Sequence, residues 1–126
     1  MNNLTFTPYL NDISRNWYGV TSSSDGTGVI AACVNGGYIY TSTDYGINWT
    51  PRITDLSRNW SCIACSSNGS IMVAAIYGGF IYTSTNYGAT WSARDSKGFW
   101  SSLASSYNGY KLVACTKNFT PTSIPN

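Results

Sequence analysis

The chain has 126 residues, 43 % of them apolar, which is enough for one globular domain with a real core and leaves little room for a second. Charged residues make up only 10 %, the formal net charge is +2 and the few Lys and Arg are scattered, so the strong field that nucleic acid or an anionic membrane requires is missing. No run approaches the length that inserts through a bilayer, and the N-terminus has neither a basic nor an apolar leader region, so a cytoplasmic or virion-associated protein is expected rather than a classically secreted one.

In chain order, Ser14-Arg15-Asn16-Trp17 comes first, then Asp25-Gly26, a dipeptide that predicts a two-residue hairpin turn, then the β-rich run 29–34. The segment Gly36-Gly37-Tyr38-Ile39-Tyr40-Thr41-Ser42-Thr43-Asp44-Tyr45-Gly46-Ile47-Asn48-Trp49 returns 42 positions later as residues 78–91. Ser57-Arg58-Asn59-Trp60 repeats the opening block, Gly98-Phe99-Trp100 is a weaker third version, and the Trp spacings are 43 and 40. Asn68-Gly69 and Asn108-Gly109 stand where Asp25-Gly26 stood, followed by runs 71–76 and 111–116. Their pairs Ala31-Ala32, Ala74-Ala75 and Ala114-Cys115 are small enough for sheets to approach closely. No window carries a helical apolar stripe, so the expected fold is all-β, with four short antiparallel strands per unit. A period near 42 with four strands is what a β-propeller blade needs. Repeat 1 covers 14–56, repeat 2 covers 57–96 and a partial repeat 3 covers 97–126 of a single domain.

Ser42-Thr43-Asp44-Tyr45-Gly46-Ile47-Asn48-Trp49 resembles the Asp-box, the bacterial neuraminidase repeat Ser-x-Asp-x-Gly-x-x-Trp, and residues 84–91 match it with Asn86 in the Asp position. The resemblance implies a hairpin between the third and fourth strands of a blade, as in sialidases, sortilin-type receptors and photosystem assembly factors. It also implies a structural role for Ser42, Asp44, Gly46 and Trp49 and for Ser84, Asn86, Gly88 and Trp91.

Residues 6–17 align with residues 49–60, so residues 1–13 read as the fourth strand of a shared blade. Asn118-Phe119-Thr120-Pro121-Thr122-Ser123 resembles residues 79–84, a degenerate third strand. Three periods of 42 equal 126, and three blades cannot close a ring. The expected partner is therefore the chain itself, as a homodimer sharing blades in a six-bladed ring or as a larger open assembly, with a piece of a longer polypeptide as the third alternative.

Chemistry is limited. Five Asp, no Glu and no His leave the sialidase catalytic set incomplete, so the expectation is no enzyme, no metal and no cofactor. Cys62-x-x-Cys65 reads as a strand with one thiol on each face, and Cys33 and Cys115 as small core residues. Sequons such as Asn48-Trp49-Thr50 are expected by chance in so Asn-, Ser- and Thr-rich a chain. Binding is the stronger expectation, on the face formed by the fourth-to-first and second-to-third strand loops. There Arg15, Asn16, Trp17, Asn35, Arg58, Asn59, Trp60 and Tyr77 form a candidate surface for glycans. For the arginines a salt bridge to the Asp three residues back is the competing role, and for the tryptophans it is packing. A structural or scaffolding protein with no small ligand is the alternative.

Overall fold

The computed structural model describes residues 7–117 and 122–124, without the side chains of Asp95, Ser96 and Thr122. The expected all-β class holds. Described are β1 (Trp17–Ser22), β2 (Ile30–Gly37), β3 (Ile39–Ser42), β4 (Thr50–Arg52), β5 (Arg58–Cys65), β6 (Met72–Ser84), β7 (Ser92–Ser105), β8 (Leu112–Thr116) and β9 (Thr122–Ile124). Every pairing is antiparallel. The first unit is β1–β4, and the second is β5, β6 and the start of β7, with Gly78 (φ 74°) where Gly36 (φ 75°) turns the first. The end of β7 with β8 and β9 makes the third.

The core lies between units rather than within them, because a single small sheet cannot cover both of its faces. Val29, Ala31, Cys33 and Ile39 of the first unit meet Trp60, Ile63, Met72 and Ala74 of the second. Cys62, Ala64, Val73, Ala75 and Ile81 of the second meet Trp100, Leu112 and Ala114 of the third. The alanine pairs are buried as their size suggested, none of Ala31, Ala32, Ala74, Ala75 and Ala114 being more than 6 % exposed. Backbone bonds join the units too: the Ser24 amide donates to the Ser67 carbonyl at 2.8 Å, and the Ser67 amide to the Tyr107 carbonyl at 2.8 Å. These are the same position in three successive units.

The Ser42–Trp49 turn is built by side chains. The Ser42 hydroxyl donates to Asp44 Oδ1 at 2.8 Å and accepts from the Gly46 amide at 2.9 Å. Asp44 also accepts from the Asn48 amide at 2.9 Å and from Asn48 Nδ2 at 2.7 Å, while Trp49 Nε1 donates to the Gly46 carbonyl at 2.7 Å. These bonds hold the Asp44 carboxyl below the ordinary carboxylate range, the Asn48 amide first among them. In the second copy the Thr90 amide donates to Asn86 Oδ1 at 2.9 Å, but Asn86 Nδ2 now donates to Thr90 Oγ1 at 2.8 Å. The exchange of Asp for Asn is thus matched by the exchange of a donor for an acceptor four residues on. Gly46 and Gly88 are left-handed, and so are Tyr45 and Tyr87 before them.

Two expectations are corrected. Neither the Asp25-Gly26 turn nor the Asn-Gly turns are two-residue hairpins: Ser23 N donates to Val29 O at 2.8 Å, enclosing residues 24–28, while Ser66 N donates to Ile71 O at 2.8 Å and Gly69 N to Ser66 O at 3.0 Å, enclosing residues 67–70. A two-residue turn of the Asn-Gly kind needs positive φ at both central residues, and only the glycine has it. At the end of the chain, Leu112 pairs with Ile124 where Ile30 pairs with Ser42, so Ile124 takes the position that sequence similarity gave to Ser123. A one-residue slip exchanges the faces of a strand, and it places Ile124, 7 % exposed, in the core. Of the proposed shared fourth strand, residues 1–6 lie outside the described residues.

Candidate functional site

The loop face divides its predicted residues into two groups. Arg15 and Arg58 are held by the protein itself. Arg58 grips Asp55 with both terminal nitrogens, at 2.9 and 3.0 Å, donates to the Leu56 carbonyl at 2.9 Å, and lies over the Tyr82 ring at 5.7 Å. Arg15 donates to Asp12 at 2.8 Å, to the Leu10 carbonyl at 3.2 Å and through Nε to the Tyr40 hydroxyl at 3.3 Å, and lies 5.2 Å over the Tyr40 ring. Their side chains are only 10 % and 16 % exposed. The arginine hydrogen bonds hold the Asp12 and Asp55 carboxyls below their usual range, and both guanidinium groups are held above theirs. The arginines therefore fasten the fourth-to-first loop to the ring beneath it, with little donor capacity left for a ligand.

Trp60 is also removed from the surface. It is fully buried, edge-on to Tyr82 with centroids 5.3 Å apart. Trp17 makes the same contact with Tyr40 at 5.4 Å yet is 41 % exposed, because the described residues place no unit in front of it.

The remaining predicted residues come together. The Asn35 amide donates to the Asn16 carbonyl at 2.9 Å, Asn35 pairs with Asn59 across β2 and β5, and Tyr77 pairs with Phe99 across β6 and β7. Because Trp60 pairs with Ile76, Asn59 and Tyr77 are neighbours. The Lys117 amide donates to the Phe99 carbonyl at 3.2 Å and closes the row. Asn16, Asn59, Tyr77, Phe99 and Lys117 are exposed and Asn35 is half-buried. The Tyr77 and Phe99 rings touch at 5.2 Å, 50 % and 54 % exposed. Phe99 and Lys117 were missed by sequence reasoning. The signal for Phe99 was present, since Gly98-Phe99-Trp100 puts it where Asn59 stands in the preceding block.

The cavities lie elsewhere. One of about 460 Å³ is lined by Tyr9, Leu10, Trp17, Val20 and Trp49 on the outer face of the first unit. Another of about 700 Å³ is lined by Tyr110, Lys111, Leu112, Val113 and Ile124 of the third.

With three stacked four-stranded or partly formed units joined through their faces, the architecture is clear. The fold is that of β-propeller blades. Solved propellers bear this out: the chain superposes on the Niastella koreensis GH74 enzyme with a TM-score of 0.62 and 21 % identity over 77 % of its length. It superposes on YCF48 from Cyanidioschyzon merolae with a TM-score of 0.70 and 15 % identity, and on YCF48 bound to D1 peptide with 0.69 and 14 %, each over 86 % of its length. The chain spans 14 %, 34 % and 37 % of those three chains. No family model and no curated protein matches it.

Within these blades Cys33, Cys62 and Cys65 are packing residues, whereas Cys115, expected in the core, is half-buried and stands outside both core clusters. Cys62 faces the contact of the second and third blades, and Cys65 packs against that of the first and second. Burial pushes the Cys33 thiol up to about 12, with Cys62 adding to it, and raises Cys62 and Cys65 as well. At pH 8 Cys33 is then protonated as well as shielded. Its alkylation by iodoacetamide in the native protein is expected to run at least about a hundredfold slower than in urea, read by peptide mass spectrometry. Rapid native labelling would contradict this packing.

Proposed function

We propose that the chain is a non-catalytic β-propeller binding module that takes neutral carbohydrate along the Asn16–Lys117 row. The observation that carries this is the alignment of the Asn35–Asn59 amide pair with the exposed Tyr77–Phe99 ring pair on neighbouring blades. Amide groups offer both donors and acceptors to hydroxyls, and an exposed aromatic face packs on the C–H face of a sugar. The low charge of the chain suits a neutral ligand, and the row is open rather than enclosed, which suits a weak contact strengthened by repetition.

The carboxylates among the described side chains support the non-catalytic reading. Asp12 and Asp55 are held by arginines, Asp25 accepts from Thr27, and Asp44 is tied into its own turn. On this reading the Ser42–Trp49 and Ser84–Trp91 turns are Asp-boxes, structural as that resemblance implies.

The test is a glycan array followed by titration of the strongest hit. Tyr77→Ala and Phe99→Ala are each expected to weaken binding about tenfold or more, equivalent to about 1.4 kcal/mol. Both residues are half-exposed, so the fold should survive. No neutral glycan above background, or unchanged affinity in both variants, would sink the reading. A scaffolding role has its own support in the two uncovered blade faces, Val20 being 71 % and Val113 40 % exposed.

A further inference from the structure

Both contacts between blades follow one pattern, in which large residues on the front of one sheet sit on small residues on the back of the sheet before it. In the second blade Ile63, 7 % exposed, faces Ala31 and Cys33 of the first. In the third, Leu103 packs on the cluster that holds Cys62, Ala64, Val73 and Ala75 of the second. The first blade carries the same front, with Val20 in the place of Ile63 and Trp17 in the place of Trp60, but Val20 is 71 % exposed. The third blade carries the same back, with Val113 in the place of Val73, and it is 40 % exposed where Val73 is fully buried.

A second observation comes from residues 7–15, which reproduce residues 50–58. Leu10 has φ 53° and Ile53 has φ 50°, both outside the usual range for their side chains, and Arg15–Asp12 at 2.8 Å mirrors Arg58–Asp55 at 2.9 Å. Leu10 lies beside Trp17 in the first blade's cavity, and Ile53 packs against the cluster that holds Trp60. Residues 7–10 therefore sit before the first blade as the end of β4 sits before the second. Among the described residues no third strand pairs with them, and β9 pairs only with β8.

We propose that a second copy of this chain docks its third blade on the front of the first, reciprocally, so that two chains close one ring. Val20 then packs on the partner's Val113 and Cys115, and Thr7 and Pro8 pair with the partner's Ser123 and Thr122, in the register that Thr50 and Pro51 keep with Thr41 and Tyr40. The contact continues one that the chain already makes twice, with the same large-on-small fit, and it extends the amide-to-carbonyl series from the Tyr107 amide to the partner's Ser24. It stands independently of any ligand on the loop face.

Light scattering across a dilution series tests it. The expected species has twice the chain mass of 13.7 kDa. Val20→Lys and Val113→Asp, both at exposed positions of the single chain, are each expected to weaken association about a hundredfold or more, because each buries an unpaired charge at both contacts. Mixing the two variants should restore the double-mass species, since one contact then holds a Lys–Asp pair and the other is unaltered. Ile47→Asp, at a position whose counterpart Ala89 stays exposed beside the first blade, should leave the mass unchanged. A monomer at every concentration, an open ladder of masses, or failure of the mixture to reassociate would overturn the two-copy ring.

Discussion

Replacing Trp60 with alanine is expected to cost about 3–5 kcal/mol, read as a fall in the urea midpoint by tryptophan fluorescence and circular dichroism. The ring is fully buried between the first and second blades and packs edge-on against Tyr82 at 5.3 Å. Removing it opens a void where two sheets meet, and neither sheet can move in without breaking its own ladder. Because small domains hold only about 5–15 kcal/mol in all, the variant should be close to unfolding at 37 °C. Phenylalanine separates packing from polarity at this site. Trp60 Nε1 has no partner among the described residues, whereas Trp100 Nε1 donates to the Gly79 carbonyl at 3.1 Å. Trp60→Phe discards an unsatisfied buried donor along with part of the ring, so its loss should stay under about 1.5 kcal/mol. If the alanine variant lost less than about 1 kcal/mol, the blade contact drawn around Trp60 would be wrong.

Gly69→Ala should be the next most damaging change. Gly69 has φ 76°, and a Cβ there would fall 2.5 Å from Val29 Cγ1 and 2.7 Å from Val29 Cβ, on a β-branched residue only 4 % exposed. Left-handed backbone alone costs an alanine about 1–2 kcal/mol. Forcing it against a stiff buried neighbour adds about 1–3 kcal/mol more. The internal control is Gly26, which occupies the same turn of the first blade at φ 82° and has nothing within 4 Å of its virtual Cβ. Gly26→Ala should show the backbone cost and little else. Equal midpoints for the two variants would mean that the first and second blades do not pack through this turn.

The fold was legible because repetition removes ambiguity. A single apolar run such as Ile71–Ile76 could be a strand or a piece of helix, but its recurrence between an Asn-Gly turn and a Gly-Gly turn leaves one period that fits. Turn chemistry was less readable. Asn68-Gly69 suggests a tight hairpin by composition, yet the loop geometry depends on the Ser66 hydroxyl, which holds Asn68 at 3.0 Å and the Ile71 amide at 3.1 Å. The site was only half legible. Asp55 three residues before Arg58 announces a salt bridge, whereas the Tyr82 ring that helps hold the guanidinium is 24 residues away and arrives only through the fold. Trp17 and Trp60 share the motif Arg-Asn-Trp but not their exposure, since burial depends on whether another blade precedes them, a property of position in the array that no local pattern contains.

The amide bonds between blades also give the array a direction. Ser24 donates forward to Ser67, and Ser67 donates forward to Tyr107, so every junction has a giving side and a receiving side, as a helix has along its axis. Two arrays of this kind cannot meet front to front without opposing acceptor to acceptor and bulk to bulk, nor back to back without opposing donor to donor. Any growth or closure built from these faces is obliged to run head to tail. The angle between successive blades alone then decides whether such a chain of contacts returns to its start or continues as a filament.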